Sequence, residues 1–201
     1  MDLYGWNARI SAAFMLPAHF AEVSIRNAVS EALTAVYGSQ WPWDATFEHS
    51  LPAPGGSVYS PRKDLLRTRK QQSSTGKAIA ELKFMFWQSM FTARHDVRVW
   101  NNRILSLFPH SSGFEPQQLR GRIYNDLEVI RKLRNRIAHH EPIFTRNLAE
   151  DRMRLLELVA LRSSTTAAWV QAMEEVGAIL AERPWLGEVD TARGRLSAGK
   201  P

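Results

Sequence analysis

Cysteine is missing from the 201 residues of this chain. Disulfides, thiol nucleophiles and thiolate metal sites are thereby excluded, and the absence fits a reducing compartment. Long apolar runs are missing too: none approaches the roughly 20 residues of a membrane-spanning helix. The opening Met1-Asp2-Leu3-Tyr4-Gly5-Trp6 lacks the basic start and continuous apolar core of a signal peptide. These absences lead to the expectation of a soluble cytoplasmic protein with no membrane partner. Strand-like alternation is scarce, which argues against a sheet. No Gly-rich phosphate loop, G-x-S-x-G elbow, dinucleotide fingerprint or H-E-x-x-H pair occurs, so no cofactor and no metal are expected.

Negative charge is also in short supply. The formal net charge is +6 and the isoelectric point is about 10.0, which suits a polyanionic partner. The excess is clustered. Residues 62–77 hold six cations (Arg62, Lys63, Arg67, Arg69, Lys70, Lys77) against Asp64 alone. Residues 120–136 hold six more (Arg120, Arg122, Arg131, Lys132, Arg134, Arg136) against Asp126 and Glu128. A solvated helix face would leave the same trace in sequence. Hydrophobic residues make up 44%, enough to fold and too many for a disordered chain.

Apolar residues recur mostly three and four apart, the helical period. Residues 18–36 read as a helix ended by Gly38. Trp41-Pro42-Trp43 and then Leu51-Pro52-Ala53-Pro54-Gly55-Gly56 read as a loop, in which Trp41 and Trp43 are the tryptophans best placed to stack on bases. Ser60-Pro61 caps and opens a basic helix to about Gln72. Residues 77–91 are apolar nearly all round and read as a central helix. Residues 97–108 read as a short helix stopped by Pro109. Glu115-Pro116 opens a long amphipathic helix, its stripe formed by Leu119, Ile123, Leu127, Ile130, Leu133 and Ile137. Pro142 disfavours helical geometry at Glu141, so that helix should end near His139 or His140. Residues 148–161 and 165–180 read as one broken or two consecutive helices. The expectation is an all-α helical bundle in a single domain over residues 1–182, with a flexible tail at 183–201. A helical DNA-binding regulator using the 61–72 helix would need a helix-turn-helix pair, and Gly76 after Ser73-Ser74-Thr75 matches one poorly.

The long helix ends in Arg134-Asn135-Arg136-Ile137-Ala138-His139-His140-Glu141-Pro142. An arginine stabilises a phosphorane without losing its charge, and a histidine exchanges a proton near neutral pH. Together they suffice for metal-free RNA cleavage by attack of the 2′-OH on the adjacent phosphate. An ordinary helix terminus, where the dipole favours Arg and His, would carry the same residue types. Asn135 and His139 are four apart and share a helix face. Arg134 stands five from His139, about 140° round an ideal helix. The partial negative charge at the helix end favours a protonated imidazole there. Glu22 and Arg26, also four apart, can pair with each other, or Arg26 and Asn27 can line a cleft beside the motif.

The stretch Ile130-Arg131-Lys132-Leu133-Arg134-Asn135-Arg136-Ile137-Ala138-His139-His140-Glu141-Pro142-Ile143-Phe144 resembles the signature of the Abi-like proteins. These are bacterial phage-abortive-infection proteins of the HEPN superfamily. Tyr4-Gly5-Trp6-Asn7 with Glu22-Val23-Ser24-Ile25-Arg26-Asn27 is similar to the family's first helix, and Thr75-Gly76-Lys77 through Trp87 to its central block. The resemblance covers roughly residues 2–160. It implies a HEPN-like bundle, a homodimer with two Arg-polar-x3-His motifs facing across a cleft, and a metal-independent endoribonuclease acting on RNA in phage defence. The implied catalytic residues are Arg134, Asn135 and His139. His140 follows at once, so an Arg-x5-His reading stays open. Arg26, Asn27, Arg131, Arg136 and His140 are expected to bind RNA. The alternative is a non-catalytic HEPN-type RNA- or nucleotide-binding module. No residue pattern identifies the RNA, the phage trigger or a neutralising partner.

Overall fold

Helices with one apolar face must bury it, and here they bury it against one another. The structure, a computed structural model, describes residues 2–184. In chain order its α-helices are α1 (Asp2–Tyr37), α2 (Ala45–Ser50), α3 (Pro61–Gln71), α4 (Thr75–Glu81), α5 (Phe84–Ser89), α6 (Ile104–Leu107), α7 (Pro116–Ala138), α8 (Leu148–Arg162), α9 (Ser164–Met173) and α10 (Val176–Ala181). A 3₁₀ turn at Trp41–Trp43 joins α1 to α2. Another at Ala93–His95 runs into a π-helical turn at Asp96–Trp100. No strand occurs among the described residues, so the all-α class holds. No helix among them is long and apolar enough to cross a membrane. Of the tail expected at 183–201, everything from 185 on lies outside the described residues; Arg183 donates to the Phe144 carbonyl at 3.0 Å.

The core lies between α1, α7 and α8, with α5, α9 and α10 packed around them. The stripe of α7 behaves as its spacing predicts: Leu119, Ile123, Leu127, Ile130 and Leu133 are buried, and Ile137 packs half-buried at their end. Pro116 stands at its first turn. The Glu115 backbone N–H donates to Gln118 Oε1 at 3.2 Å, one arm of a capping box. At the other side of the core the Trp6 indole donates to the Ile179 carbonyl at 2.7 Å and ties α1 to α10.

Five readings of the chain change. The first helix begins at Asp2 rather than Ala18 and runs straight through Pro17. A proline inside a helix costs about 3 kcal/mol. Trp6, Ile10 and Phe14 upstream are buried at 4% exposure or less, and each contributes about 1.5–3 kcal/mol, so the packed face outweighs the lost hydrogen bond. The central 77–91 helix is two, α4 and α5. Its break falls at residues 82–83, where Asp64 Oδ2 accepts the Lys83 N–H at 3.3 Å and the Leu82 carbonyl accepts the Trp87 indole N–H at 3.3 Å. Residues 97–108 hold the π turn and only the short α6, and residues 165–180 divide into α9 and α10. Finally, the Trp41 loop is structured. Trp41 is fully buried, its indole donating to Ser30 Oγ at 3.2 Å and its ring meeting Phe47 and Phe86. It is a core residue, with no face free to stack on a base; Trp43 is half-buried.

Candidate functional site

The end of α7 is built by its last backbone hydrogen bonds. His139 is the C-cap, its N–H donating to the Asn135 carbonyl at 2.9 Å. His140 donates to Ile137 at 3.1 Å and Glu141 to Arg136 at 2.8 Å. This pair of bonds, 5→2 and 6→1, is a Schellman terminus. Its pivot is normally glycine, because the pivot adopts a left-handed conformation. In this chain the pivot is His140, at φ 56°. The hydrophobic contact that usually closes the motif is replaced by an ion pair, Arg136 Nε to Glu141 at 3.4 Å. Pro142 then leads the chain away, and Asn7 Oδ1 on α1 accepts the Ile143 N–H at 2.8 Å. That bond pins the exit of the motif to α1.

A side chain at a left-handed pivot costs about 1–2 kcal/mol relative to glycine. His140→Gly should therefore raise thermal stability, by about 2–8 °C for a chain of this size. Differential scanning calorimetry measures it; a lower melting temperature would mean that the His140 side chain makes contacts worth more than the strain. His140 and Glu141 face Tyr4, Asn7 and Ser11 of α1 across a shallow pocket of about 270 Å³. Tyr4 is 80% exposed there.

Arg134 turns the other way, toward the middle of α1. Its guanidinium lies 3.0 Å from Glu22 and 5.0 Å from the centre of the Phe84 ring, in cation–π geometry. Glu22 is only 8% exposed and also binds Arg26. Arg26 in turn donates to the Ala80 carbonyl at 3.3 Å. One buried carboxylate thus orients two arginines, and a buried charge with two hydrogen-bonded partners is stable where a lone one would not be. About a third of the Arg134 side chain stays open to solvent. Asn135 and His139 are exposed on the outer face of the same helix end. Within one chain, then, Arg134 is held against Glu22 and Phe84, while His139 stands exposed at the helix cap.

The other expected RNA-binding residues are mostly engaged. Arg131 holds Glu128 at 2.8 Å, and Gln88 donates to the same carboxylate at 2.9 Å. Arg131, with help from Gln88 and Lys132, holds the Glu128 carboxyl down at about 2. Asn27 is exposed beside Arg26. The two basic clusters are largely absorbed by ion pairs: Arg62 and Arg69 bind buried Glu48 at 2.8 and 2.6 Å, Arg67 binds Asp64 at 2.9 Å, Arg120 binds Asp96 at 2.7 Å, and Arg122 binds Asp126 and Glu157. Arg62 and Arg69 keep the Glu48 carboxyl below its usual range. Phe84 and the shared role of Glu22 escape sequence reasoning, since no local spacing connects them to Arg134. Among the described residues no three His, Asp or Glu side chains gather as a metal-ligand set.

No known family model, curated protein or solved structure matches this chain.

Proposed function

We propose that the protein is a metal-independent endoribonuclease of phage defence, of the Abi-like HEPN kind, working as a homodimer with the 134–139 segments of two copies at a shared cleft. The observation that carries the reading is the terminus of α7. It presents Asn135 and His139 outward, beside an arginine fixed in place by Glu22 and Phe84 but still partly open.

In the proposed reaction the ribose 2′-OH attacks the adjacent phosphorus. His139 handles the proton, taken from the 2′-OH or delivered to the leaving 5′ oxygen. Arg134 stabilises the charge that builds on the phosphate, and Asn135 orients the phosphate or a motif side chain. The 2′-O–P bond forms and the P–O5′ bond breaks. The products carry 2′,3′-cyclic phosphate and 5′-OH ends. The test is incubation of the full chain with RNA in EDTA, with the ends identified by mass spectrometry. Undiminished cleavage leaving cyclic phosphate is expected; cleavage abolished by EDTA, or leaving 3′-OH ends, would sink the reading.

The competing reading is a non-catalytic RNA- or nucleotide-binding module. The Glu22 pair favours it to this extent, that an arginine already holding a carboxylate has less charge to give a phosphorane. RNA binding between pH 6 and 8 with no cleavage would decide for the module.

A further inference from the structure

A second pocket, of about 620 Å³, opens between the α1–α2 region and the irregular segment at 93–100. Arg120 anchors Asp96 of that segment at 2.7 Å near the start of α7, and His139 caps the helix at its far end. At 1.5 Å of rise per residue the two regions lie roughly 28 Å apart along α7. The pocket is lined by Tyr37, Thr46, His49, Arg94, His95 and Arg98, among others, with no carboxylate among them.

Its charge is uncompensated. Every other described arginine side chain makes an ion pair or hydrogen-bonds a carbonyl; Arg94 and Arg98 do neither. The neighbouring carboxylates are committed elsewhere. Asp96 faces Arg120. Asp44 caps α2 by accepting the Phe47 N–H at 2.6 Å. Glu48 is held by Arg62 and Arg69. The backbone contributes as well. The Asn101 N–H donates to the Asp96 carbonyl at 2.8 Å, a π-type bond, and π turns of this kind recur at functional sites. His95 is 4% exposed, and its ring makes no hydrogen bond within the described residues. Burial, with Arg94 and Arg98 beside it, pushes its imidazole down to about 4, so at pH 7 it is neutral and has an N–H to donate. Tyr37 and Thr46 bring hydroxyl donors.

Two unpaired guanidinium groups at one cavity, with neutral donors around them, form a receptor for phosphate oxygens. The cavity falls within the 300–1,000 Å³ typical of small-molecule sites. Both unpaired cations line this one hollow. We propose that this pocket binds a phosphorylated small molecule, its phosphate held by Arg94 and Arg98. This site is independent of the chemistry proposed at the α7 terminus.

Isothermal titration calorimetry of the full chain with pyrophosphate, with ATP and with a single-stranded RNA hexamer tests it. Binding of pyrophosphate or ATP is expected. Each lost charge-assisted contact should weaken it about tenfold or more, so an Arg94→Gln, Arg98→Gln double variant should bind at least about 100-fold more weakly. Arg134→Ala should bind like wild type. The side chains of the two arginines are exposed and make no ion pair or hydrogen bond among the described residues, so the double variant should unfold close to the wild-type temperature, which separates lost binding from lost fold. Three outcomes would overturn the proposal: no binding of either phosphate compound at millimolar concentration, equal binding by the double variant, or Arg94- and Arg98-dependent binding of the RNA hexamer alone. A chain that binds pyrophosphate yet never cleaves RNA would leave this site standing while removing the ribonuclease.

Discussion

RNA cleavage in EDTA is expected to fall about 10²–10³-fold in Arg134→Ala, the usual effect of losing a charge-stabilising donor. In His139→Ala it should fall about 10²–10⁴-fold, the range for a positioned acid or base. The structure adds a control for each. Arg134 is one of two partners of buried Glu22, so its removal leaves that carboxylate to Arg26 alone. A loss of about 1–3 kcal/mol of stability is expected for such a change, and circular dichroism at the assay temperature must show the variant folded. His139 is exposed and contributes only its backbone to the helix terminus, so His139→Ala should fold normally. His140→Gly, which suits the left-handed pivot, should retain most of the cleavage. A loss there as deep as in His139→Ala, with both proteins folded, would move the proton-handling role to His140. Cleavage that persists in Arg134→Ala would overturn the mechanism.

When the inactive Arg134→Ala and His139→Ala proteins are mixed and allowed to exchange subunits, activity is expected to return to about one quarter of wild type. The figure follows from two-fold symmetry. Random exchange makes about half of the dimers mixed, and each mixed dimer rebuilds one of its two composite sites. The physical motive is that Arg134 is drawn inward to Glu22 and Phe84 while His139 sits exposed at the cap, about 140° round the helix by the 3.6-residue period. Mixtures that stay as inactive as their components, although subunit exchange is verified by mass spectrometry, would show that each copy carries its own complete site. Light scattering that reports a monomer at micromolar concentration would remove the composite site altogether.

What could be read from the chain was whatever short-range physics writes into it. The stripe from Leu119 to Ile137, opened by Pro116 and closed ahead of Pro142, delimits α7 to within a residue or two. Ser60 before Pro61 does the same for α3, its hydroxyl accepting the Lys63 N–H at 3.2 Å. Breaks imposed by distant residues left no local mark. Nothing at residues 82–83 resembles a stop signal, because the break is held by Asp64 from another helix. Pro17 is a stop signal that tertiary packing overrides. The candidate site divides in the same way. Arg134, Asn135 and His139 stand in one short run, and that run was legible. Glu22 and Phe84, which aim the arginine, come from α1 and α5, and only the fold brings them to it. Pro142 announced that the helix would end but not that His140 would be the residue turned left-handed to end it.

The pairing of the arginines changes what the high isoelectric point means. Apart from Arg94, Arg98, Arg103 and Arg183, every described arginine is locked to an acidic neighbour. Their charges are mostly used as internal mortar between helices, and a titration of net charge counts them as though they faced outward. A polyanion nearing this surface meets no uniform positive sheet. It meets isolated footholds, and at any of the others it competes with a carboxylate already in place. Such a surface favours a ligand that arrives in one orientation over one that merely carries opposite charge.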